Sequence, residues 1–493
     1  MSPHIRRVSR TLLRFFPLLV CVLAFLLIAT GAIAQQPEGL QAAIDAKPEA
    51  PVPWTARLQS LVGIPMMLGL AWLLSHDRKR IPWRVIGWGL GLQFLFALLV
   101  LKTAPGEWVF GKLNIVVMSL LGYSTDGARF IFGSLVDHVV LVGTPNPTDP
   151  FAPLVPMADP AGAPVFAGTG AFFAFNVLPT IIFFSALMAV LYHLGVMQLL
   201  VRGMGWVMFR TMGTSGAESL SAAANIFVGQ TEAPLVIKPY VDKMTMSELN
   251  AIMTGGFATV AGGVMAAYVG MLSGVFPDIA GHLIAASVMS APAALVIAKI
   301  MWPEDSIPTT QGSMELAVEK TDVNVVDAAA RGAGEGLKLA LNVGAMLLAF
   351  IALVAMANGV LGELSSAVGS ETPLTLERIL GFLFWPLAWM MGVPAAECAA
   401  VGELLGIKTV LNEFVAYLRL AQTADGLSRR SMIIVTYALC GFANLGSIGI
   451  QLGGIGGIAP ERRSDLARLG VRAMIAGTLA AFLTANIAGA LLG

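Results

Sequence analysis

The chain has 493 residues, of which 56% are hydrophobic and only 12% charged, with a mean hydropathy of +0.78. A soluble protein carries about 25% charged residues, so this balance excludes an ordinary water-soluble domain and makes lipid the solvent. Lys plus Arg and Asp plus Glu match at 30 each, which gives no reason to expect a nucleic-acid partner.

Arg6, Arg7, Arg10 and Arg14 make a basic start, residues 15–30 are apolar, and Ala32-Ile33-Ala34 supplies small residues before Gln35. This pattern predicts a signal peptide over 1–34, with an uncleaved signal-anchor helix as the alternative. Either places the polar, Pro-rich linker 35–57 outside the cytoplasm.

About 20 apolar residues cross a bilayer. Eight stretches are candidates: 59–75, 83–102, 169–195, 247–273, 279–301, 338–361, 431–458 and 471–492. Ser75-His76-Asp77-Arg78-Lys79-Arg80, between the first two, is strongly basic and therefore cytoplasmic. Arg462, Arg463 and Arg468 fit the same side, whereas Arg429 and Arg430 fall outside, against the rule. Residues 142–166 read as a periplasmic loop and 302–327 as a cytoplasmic one, followed by an interfacial helix around 328–337. Residues 198–212, with Arg202 and Arg210, read as an amphipathic helix along the membrane surface.

Two apolar segments fit no simple span. Residues 216–241 hold Glu218, Asn225, Gln230, Thr231 and Glu232, and residues 393–420 hold Glu397, Glu403, Lys408, Asn412 and Glu413. A carboxylate in mid-membrane costs several kcal/mol, about 2.5–3.5 on insertion scales, so it faces protein or a wet cavity. Each segment therefore reads as a re-entrant hairpin of two half-helices. Thr231 is placed to cap the second arm of the first hairpin, and Asn412 that of the second, each followed by a carboxylate in the first turn.

The two segments look like a repeat. Gly216-Ala217-Glu218 precedes one tip and Ala395-Ala396-Glu397 the other. Glycine-interrupted spans follow both: Gly255-Gly256-Phe257-Ala258-Thr259-Val260-Ala261-Gly262-Gly263, and Cys440-Gly441-Phe442-Ala443-Asn444-Leu445-Gly446-Ser447. Interrupted spans at matching places in two halves mark a transporter's central site. The fold class expected is all-α and polytopic, with about eight transmembrane helices, two opposed re-entrant hairpins, interfacial helices and an inverted repeat. The three cysteines have no metal-ligand spacing, the histidines form no cluster, and no nucleophile set is visible. No enzyme, metal centre or organic cofactor is expected. A channel would instead show a polar stripe along several complete spans.

Gly229-Gln230-Thr231-Glu232-Ala233-Pro234-Leu235, Asn412-Glu413-Phe414-Val415-Ala416-Tyr417 and Cys440-Gly441-Phe442-Ala443-Asn444 closely resemble signature stretches of concentrative nucleoside transporters. So do Asn176-Val177-Leu178-Pro179-Thr180 and Gly449-Ile450-Gln451-Leu452-Gly453-Gly454. The likeness runs from about residue 58 to 493. It implies cation-coupled nucleoside import across the inner membrane, driven by sodium or else by protons. It also implies an elevator-type motion within a homotrimer. The organisation it suggests is a scaffold part in 58–195, a first core half over 198–301, a scaffold helix within 328–368 and a second core half over 374–493.

Carried over by residue, Gln230, Thr231 and Glu232 would meet the nucleobase and Val264 would pack on it. Glu413, Asn444 and Ser447 would bind the ribose hydroxyls. Asn225, Val228, Thr259 and Val260 match the surroundings of the sodium site. Thr259 stands where serine is expected and keeps a hydroxyl. Leu445-Gly446 leaves the base preference open. The chemistry suits these assignments: an amide or hydroxyl reads a base edge, a carboxylate accepts from sugar hydroxyls, and a small apolar side chain makes a wall. The competing structural readings are helix capping at the first tip, a Lys408–Glu413 pair at the second, and bridging of unwound backbone by Asn225 and Thr259. Glu218, Glu397 and Glu403 suit holding the hairpins by hydrogen bonds as well as touching substrate.

Overall fold

The computed structural model describes residues 52–137, 139–141, 143–144, 155–157, 166–168, 173–313, 322–367, 369 and 373–492. The expected signal segment, most of the 35–57 linker and much of the 142–166 loop lie outside the described residues. Among those described, eight helical stretches are long and apolar enough to cross a membrane. Their membership differs from the sequence reading in two places. Residues 104–136 form a span that patterning leaves unassigned, because Lys112, Asp126 and Arg129 dilute its hydropathy. Residues 431–458 are two half-helices with a break between them.

In chain order, α1 (Trp54–Leu73), α2 (Trp83–Lys102) and α3 (Ala104–Phe132) precede the first loop region. Two short antiparallel ribbons flank and enter the expected loop: Val139–Leu141 with Phe166–Gly168, and Gly143–Thr144 with Val155–Pro156. α4 (Leu178–His193) follows. α5 (Val196–Met212) buries Met197, Val201, Gly205, Met208 and Met212, one helical stripe, and leaves Arg202 and Arg210 exposed.

Hairpin 1 comprises α6 (Gly216–Asn225) and a return arm made of a 3-10 segment (Ala233–Ile237) and one helical turn (Lys238–Val241). The broken span α7 (Met246–Ala258) and α8 (Gly262–Leu272) and the long α9 (Ile279–Met301) complete the first unit. α10 (Val325–Ala367) is one 43-residue helix, so the expected interfacial helix at 328–337 is continuous with the span beyond it. Its buried residues Gly332, Gly336 and Ala340 recur every fourth position. A Cβ on Gly332 would come 2.7 Å from Ser185 O, and one on Gly336 2.8 Å from Ile182 Cα, so the stripe lets α10 press against α4.

The second unit repeats the order of the first. α11 (Leu376–Met390) takes the place of α5, and α12 (Cys398–Val410) with α13 (Glu413–Thr423) forms hairpin 2. α14 (Arg429–Leu439) and α15 (Leu445–Ile458) form the broken span, and α16 (Arg463–Leu491) the long helix. α11 is absent from the sequence reading, since 15 residues are too few for a span.

The units run in opposite directions. α9 ends beside the end of α1, where Ser75 Oγ donates to Ile300 O at 2.6 Å and His76 N to Met301 O at 2.9 Å. α16 ends beside the start of α1, where Arg430 bridges Gly489 O and Ala56 O, both at 2.9 Å. With the basic 75–80 loop in the cytoplasm, hairpin 1 is rooted on the cytoplasmic side and hairpin 2 on the outer side. The outward arginines that break the positive-inside pattern are thus accounted for: Arg430 spends its donors on backbone carbonyls, and Arg429 pairs with Asp278 at 2.9 Å.

Candidate functional site

Each hairpin is fixed at its root by side chains that cap helices. Ser215 and Glu218 form a capping box at the start of α6, and Glu218 also meets Lys299 Nζ at 2.7 Å. Lys299 reaches Glu304 at 3.0 Å, and all three converge where α6 and α7 start and α9 ends. In the second unit Glu397 accepts from Ser428 N and Oγ at 3.1 and 3.0 Å, and Glu403 faces Arg419 at 3.4 Å. Glu218, Glu397 and Glu403 therefore hold the hairpins.

At the first tip, the chain turns through Gly229, whose carbonyl accepts from Glu232 N and Ala233 N at 3.0 Å each. The expected cap by Thr231 does not form. The return arm starts as a 3-10 segment with Glu232 at its N-cap position and no side-chain cap, because the turn is closed by backbone bonds to Gly229. The three tip residues diverge. Gln230 is buried, and its Oε1 accepts from Gln451 Nε2 at 3.0 Å. Gln451 Nε2 also reaches Met253 O at 3.0 Å. Thr231 packs on α15, where a Cβ at Gly454 would lie 2.5 Å from its Cγ2. Glu232 is exposed and faces Glu335 and Arg331 of α10.

At the second tip, Asn412 caps α13 by accepting from Val415 N at 2.9 Å. Glu413, in the first turn, is buried and held at both oxygens: Tyr268 Oη donates to Oε1 and Asn444 Nδ2 to Oε2, each at 3.0 Å. Asn444 in turn caps α15, accepting from Ser447 N at 2.8 Å. Val264 lies one turn before Tyr268 on α8, so the two share a face. Lys408 does not pair with Glu413; it donates to Ala438 O at 2.8 Å.

The breaks in the two spans lie back to back. Phe442 N donates to Thr259 O at 3.3 Å. Gly441 has φ +143°, and a Cβ there would come 2.7 Å from Phe257 O, so only glycine suits the position. Around the first break, Asn225 is fully buried and neither amide atom has a hydrogen-bond partner among the described residues. A Cβ on Gly255 would lie 3.1 Å from its Nδ2, and Thr259 Oγ1 bonds Gly255 O at 2.9 Å. Val228 and Val260 are buried beside them in sequence. An unpartnered amide oxygen, a hydroxyl and carbonyls freed by unwinding are the hard oxygen donors an alkali cation takes. Among the described residues no group of three or more His, Cys, Asp or Glu side chains is placed to hold a metal ion, and the candidate donors at this break are an amide, a hydroxyl and backbone carbonyls.

Two residues without an assigned role in the sequence reading stand in this arrangement. Gln451 is a lone amide in a glycine-rich apolar helix, a signal available from hydropathy. Tyr268 carries no such mark, since buried tyrosines are common and its hydroxyl partner is 145 residues away.

Comparison with known proteins bears on this arrangement. Residues 62–135 match the N-terminal part, and residues 282–489 the C-terminal part, of the Na+ dependent nucleoside transporter family, while 174–274 match a nucleoside recognition "Gate" domain. The chain is 45% identical over 442 residues to an uncharacterized transporter of Haemophilus influenzae, covering 88% of this chain and 98% of that protein. It is 42% identical to solute carrier family 28 member 3 of Mus musculus and 40% identical to sodium/nucleoside cotransporter 1 of Rattus norvegicus. These matches cover 88% of this chain but only 59% and 64% of those longer proteins. The structure is similar to that of CNTnw in an inward-facing, substrate-bound state, with a TM-score of 0.77 at 44% identity, covering 88% of this chain and 98% of that one. A CNTnw variant in an outward-facing state gives 0.79 at 44% identity, covering 89% and 98%. From these likenesses and its membrane-spanning helices, the chain is a multi-pass membrane transporter, not an enzyme, and belongs to the concentrative nucleoside transporter family.

Proposed function

We propose that this protein imports nucleosides across the inner membrane, coupled to sodium, by an elevator-type motion within a homotrimer. The observation that carries the reading is Glu413: a buried carboxylate at a hairpin tip, with both oxygens aimed by neutral donors and, among the described residues, no cationic partner within ion-pair distance. Such a group is costly in a membrane protein unless it serves a ligand. Sugar hydroxyls are suitable donors to its remaining lone pairs.

α15 joins the two ends of the proposed site. Asn444 and Ser447 stand at its start beside Glu413 and would bind the ribose with it. Gln451, two turns on, meets Gln230. That separation is about 10 Å at 1.5 Å per residue, room for a sugar and a base end to end. Gln230 and Thr231 would read the base edge and Val264 would wall its face. Glu232 would complete the base contacts when the tip closes on substrate. Asn225 and Thr259, with backbone carbonyls near Val228 and Val260, would hold the sodium ion. Binding it would order the first tip and couple ion to nucleoside. The exposed apolar faces of α10, such as Leu341, Leu348 and Met356, suit burial between subunits of a trimer.

Proton coupling is the alternative within the same class. Radiolabelled uridine and adenosine uptake into proteoliposomes, with sodium and proton gradients imposed separately, tests both. Uptake under a sodium gradient supports the proposal; uptake driven only by protons removes the sodium site. No uptake of any nucleoside under either gradient refutes the whole reading.

A further inference from the structure

The broken-span half-helices α7 and α14 end in the interior of this protein, as do the first arms of the hairpins, α6 with Asn225 as its last residue and α12 with Lys408 in its last turn. The C-terminal end of each exposes carbonyls with no following turn and carries the negative pole of a helix dipole. The side chain that hairpin 1 sends toward the end of α7 is Asn225, neutral, wholly buried and, among the described residues, without a partner at either amide atom. The side chain that hairpin 2 sends toward the end of α14 is Lys408, also wholly buried, whose Nζ donates to Ala438 O at 2.8 Å. Thr436 O, one turn end over, is taken by the Tyr417 hydroxyl at 2.7 Å and by Cys440 N at 3.2 Å. Lys408 has no ion pair among the described residues, and Glu413 is the acidic group that acts on it from nearby.

Packing does not account for such a residue. An ammonium in the membrane interior is expensive, and leucine or methionine would fill the same space at no electrostatic cost. A cation is warranted there by the negative pole of α14 and by Glu413. The same need at the end of α7 is left to a side chain that cannot supply charge.

We infer that Lys408 is a tethered cation, its ammonium filling in the second unit the position that the first unit leaves open for a dissolved ion. Lys408 is thus a positioning residue: it neutralises the end of α14 and sets the field around Glu413 through the whole cycle. Only the first unit then responds to the ion gradient, and one mobile cation accompanies each nucleoside. The inference rests on sodium coupling at the first break, and the experiment separates the two.

Nucleoside binding to the purified protein, and uptake after reconstitution, are measured against sodium concentration for the wild type and for Lys408→Ala, Lys408→Met and Lys408→Arg. The wild type is expected to respond hyperbolically. Lys408→Ala removes the charge and leaves space, so binding at low sodium falls about tenfold to thirtyfold, the scale of a lost helix-end charge. It recovers at saturating sodium with a Hill coefficient rising from about one toward two, as a second ion enters. Lys408→Met removes the charge and keeps the space filled, so sodium does not rescue it. Lys408→Arg restores the hyperbolic response.

A Lys408→Ala protein that is folded and monodisperse yet keeps the wild-type sodium curve overturns the inference. So does one that saturating sodium fails to rescue. If Lys408→Ala is not recovered folded, purification is repeated in saturating sodium; continued failure there, with Lys408→Arg intact, also overturns it. A wild type that takes up nucleoside without any sodium response refutes the sodium reading instead.

Discussion

The two hairpin-and-broken-helix units share an order of elements and differ in how each meets its electrostatic obligations. At the root, the first unit uses charges against charges: Lys299 between Glu218 and Glu304. The second relies more on charges against dipoles: Arg430 donates to Gly392 O, Gly489 O, Ala56 O and Ser60 Oγ, all at 2.9–3.0 Å, and Glu397 accepts from Ser428, with Glu403–Arg419 as its ion pair. At the tip the pattern reverses. The buried side chains of the first unit there are amides, Gln230 and Asn225, with Glu232 exposed, whereas those of the second are a carboxylate and a lysine. A repeat therefore constrains backbone geometry far more than it constrains chemistry, and in the proposed site the divergence at the tips would let one unit face a base and the other a sugar.

The largest effect is expected at the first root. Lys299→Met strands two carboxylates in a buried place, and breaking such a pair costs about 3–5 kcal/mol. Thermal unfolding in detergent should fall by many degrees, and Glu218→Gln in the same chain should recover part of the loss. An unchanged midpoint would mean the charge cluster is not holding hairpin 1.

Next comes Glu413→Gln, which keeps shape and removes the charge. Losing a charge-assisted partner for the sugar is worth about 2–4 kcal/mol, so uptake should drop by about thirtyfold or more while size-exclusion behaviour stays normal. Uptake at the wild-type rate would refute the ribose role. The contrast with hairpin 1 sharpens here: Gln230→Glu, which makes the two tips alike, should weaken binding of the base without stabilising the sugar end.

The break in the second span is expected to be the more demanding backbone. Gly441→Ala puts a Cβ 2.7 Å from Phe257 O at φ +143°, a cost of about 1–3 kcal/mol. The corresponding first break carries a threonine, Thr259, in extended backbone, φ −120° and ψ 166°. Thr259→Ser should leave the unfolding midpoint within a degree or two. Equal sensitivity at both positions would remove the asymmetry between the breaks.

Legibility in the sequence followed the cost of misplaced polarity. Glu218, Glu413 and Asn225 stand out because apolar surroundings make them expensive, so both hairpins and both breaks were visible without coordinates. α3 was hidden by the opposite circumstance: half-buried Lys112 and exposed Asp126 and Arg129 are tolerated on the helix surface and lower its apparent hydropathy. The Thr231 cap failed because a local residue pattern cannot tell a capped α-turn from a 3-10 turn closed on Gly229 O. Tyr268 was invisible because its meaning lies in a partner on a distant hairpin.

That tyrosine gives the smallest and most discriminating comparison. Tyr268→Phe keeps the ring against Phe414 and Tyr417, at centroid distances of 5.4 and 4.4 Å, and removes only the hydroxyl that holds Glu413 Oε1. One lost hydrogen bond to a charged group is worth about 1.5 kcal/mol, or about tenfold in nucleoside affinity. Asn444→Ala removes the donor to the other oxygen but also the α15 cap, adding about 1 kcal/mol of destabilisation. Calorimetric titration of both single variants and the double variant isolates their coupling through Glu413. Non-additive losses mean that the two donors orient one carboxylate for one ligand group, because neighbours sharing a partner couple. Strictly additive losses, or an affinity for Tyr268→Phe equal to wild type, would mean that Glu413 is held by its own helix and that the first unit contributes nothing to the sugar end of the site.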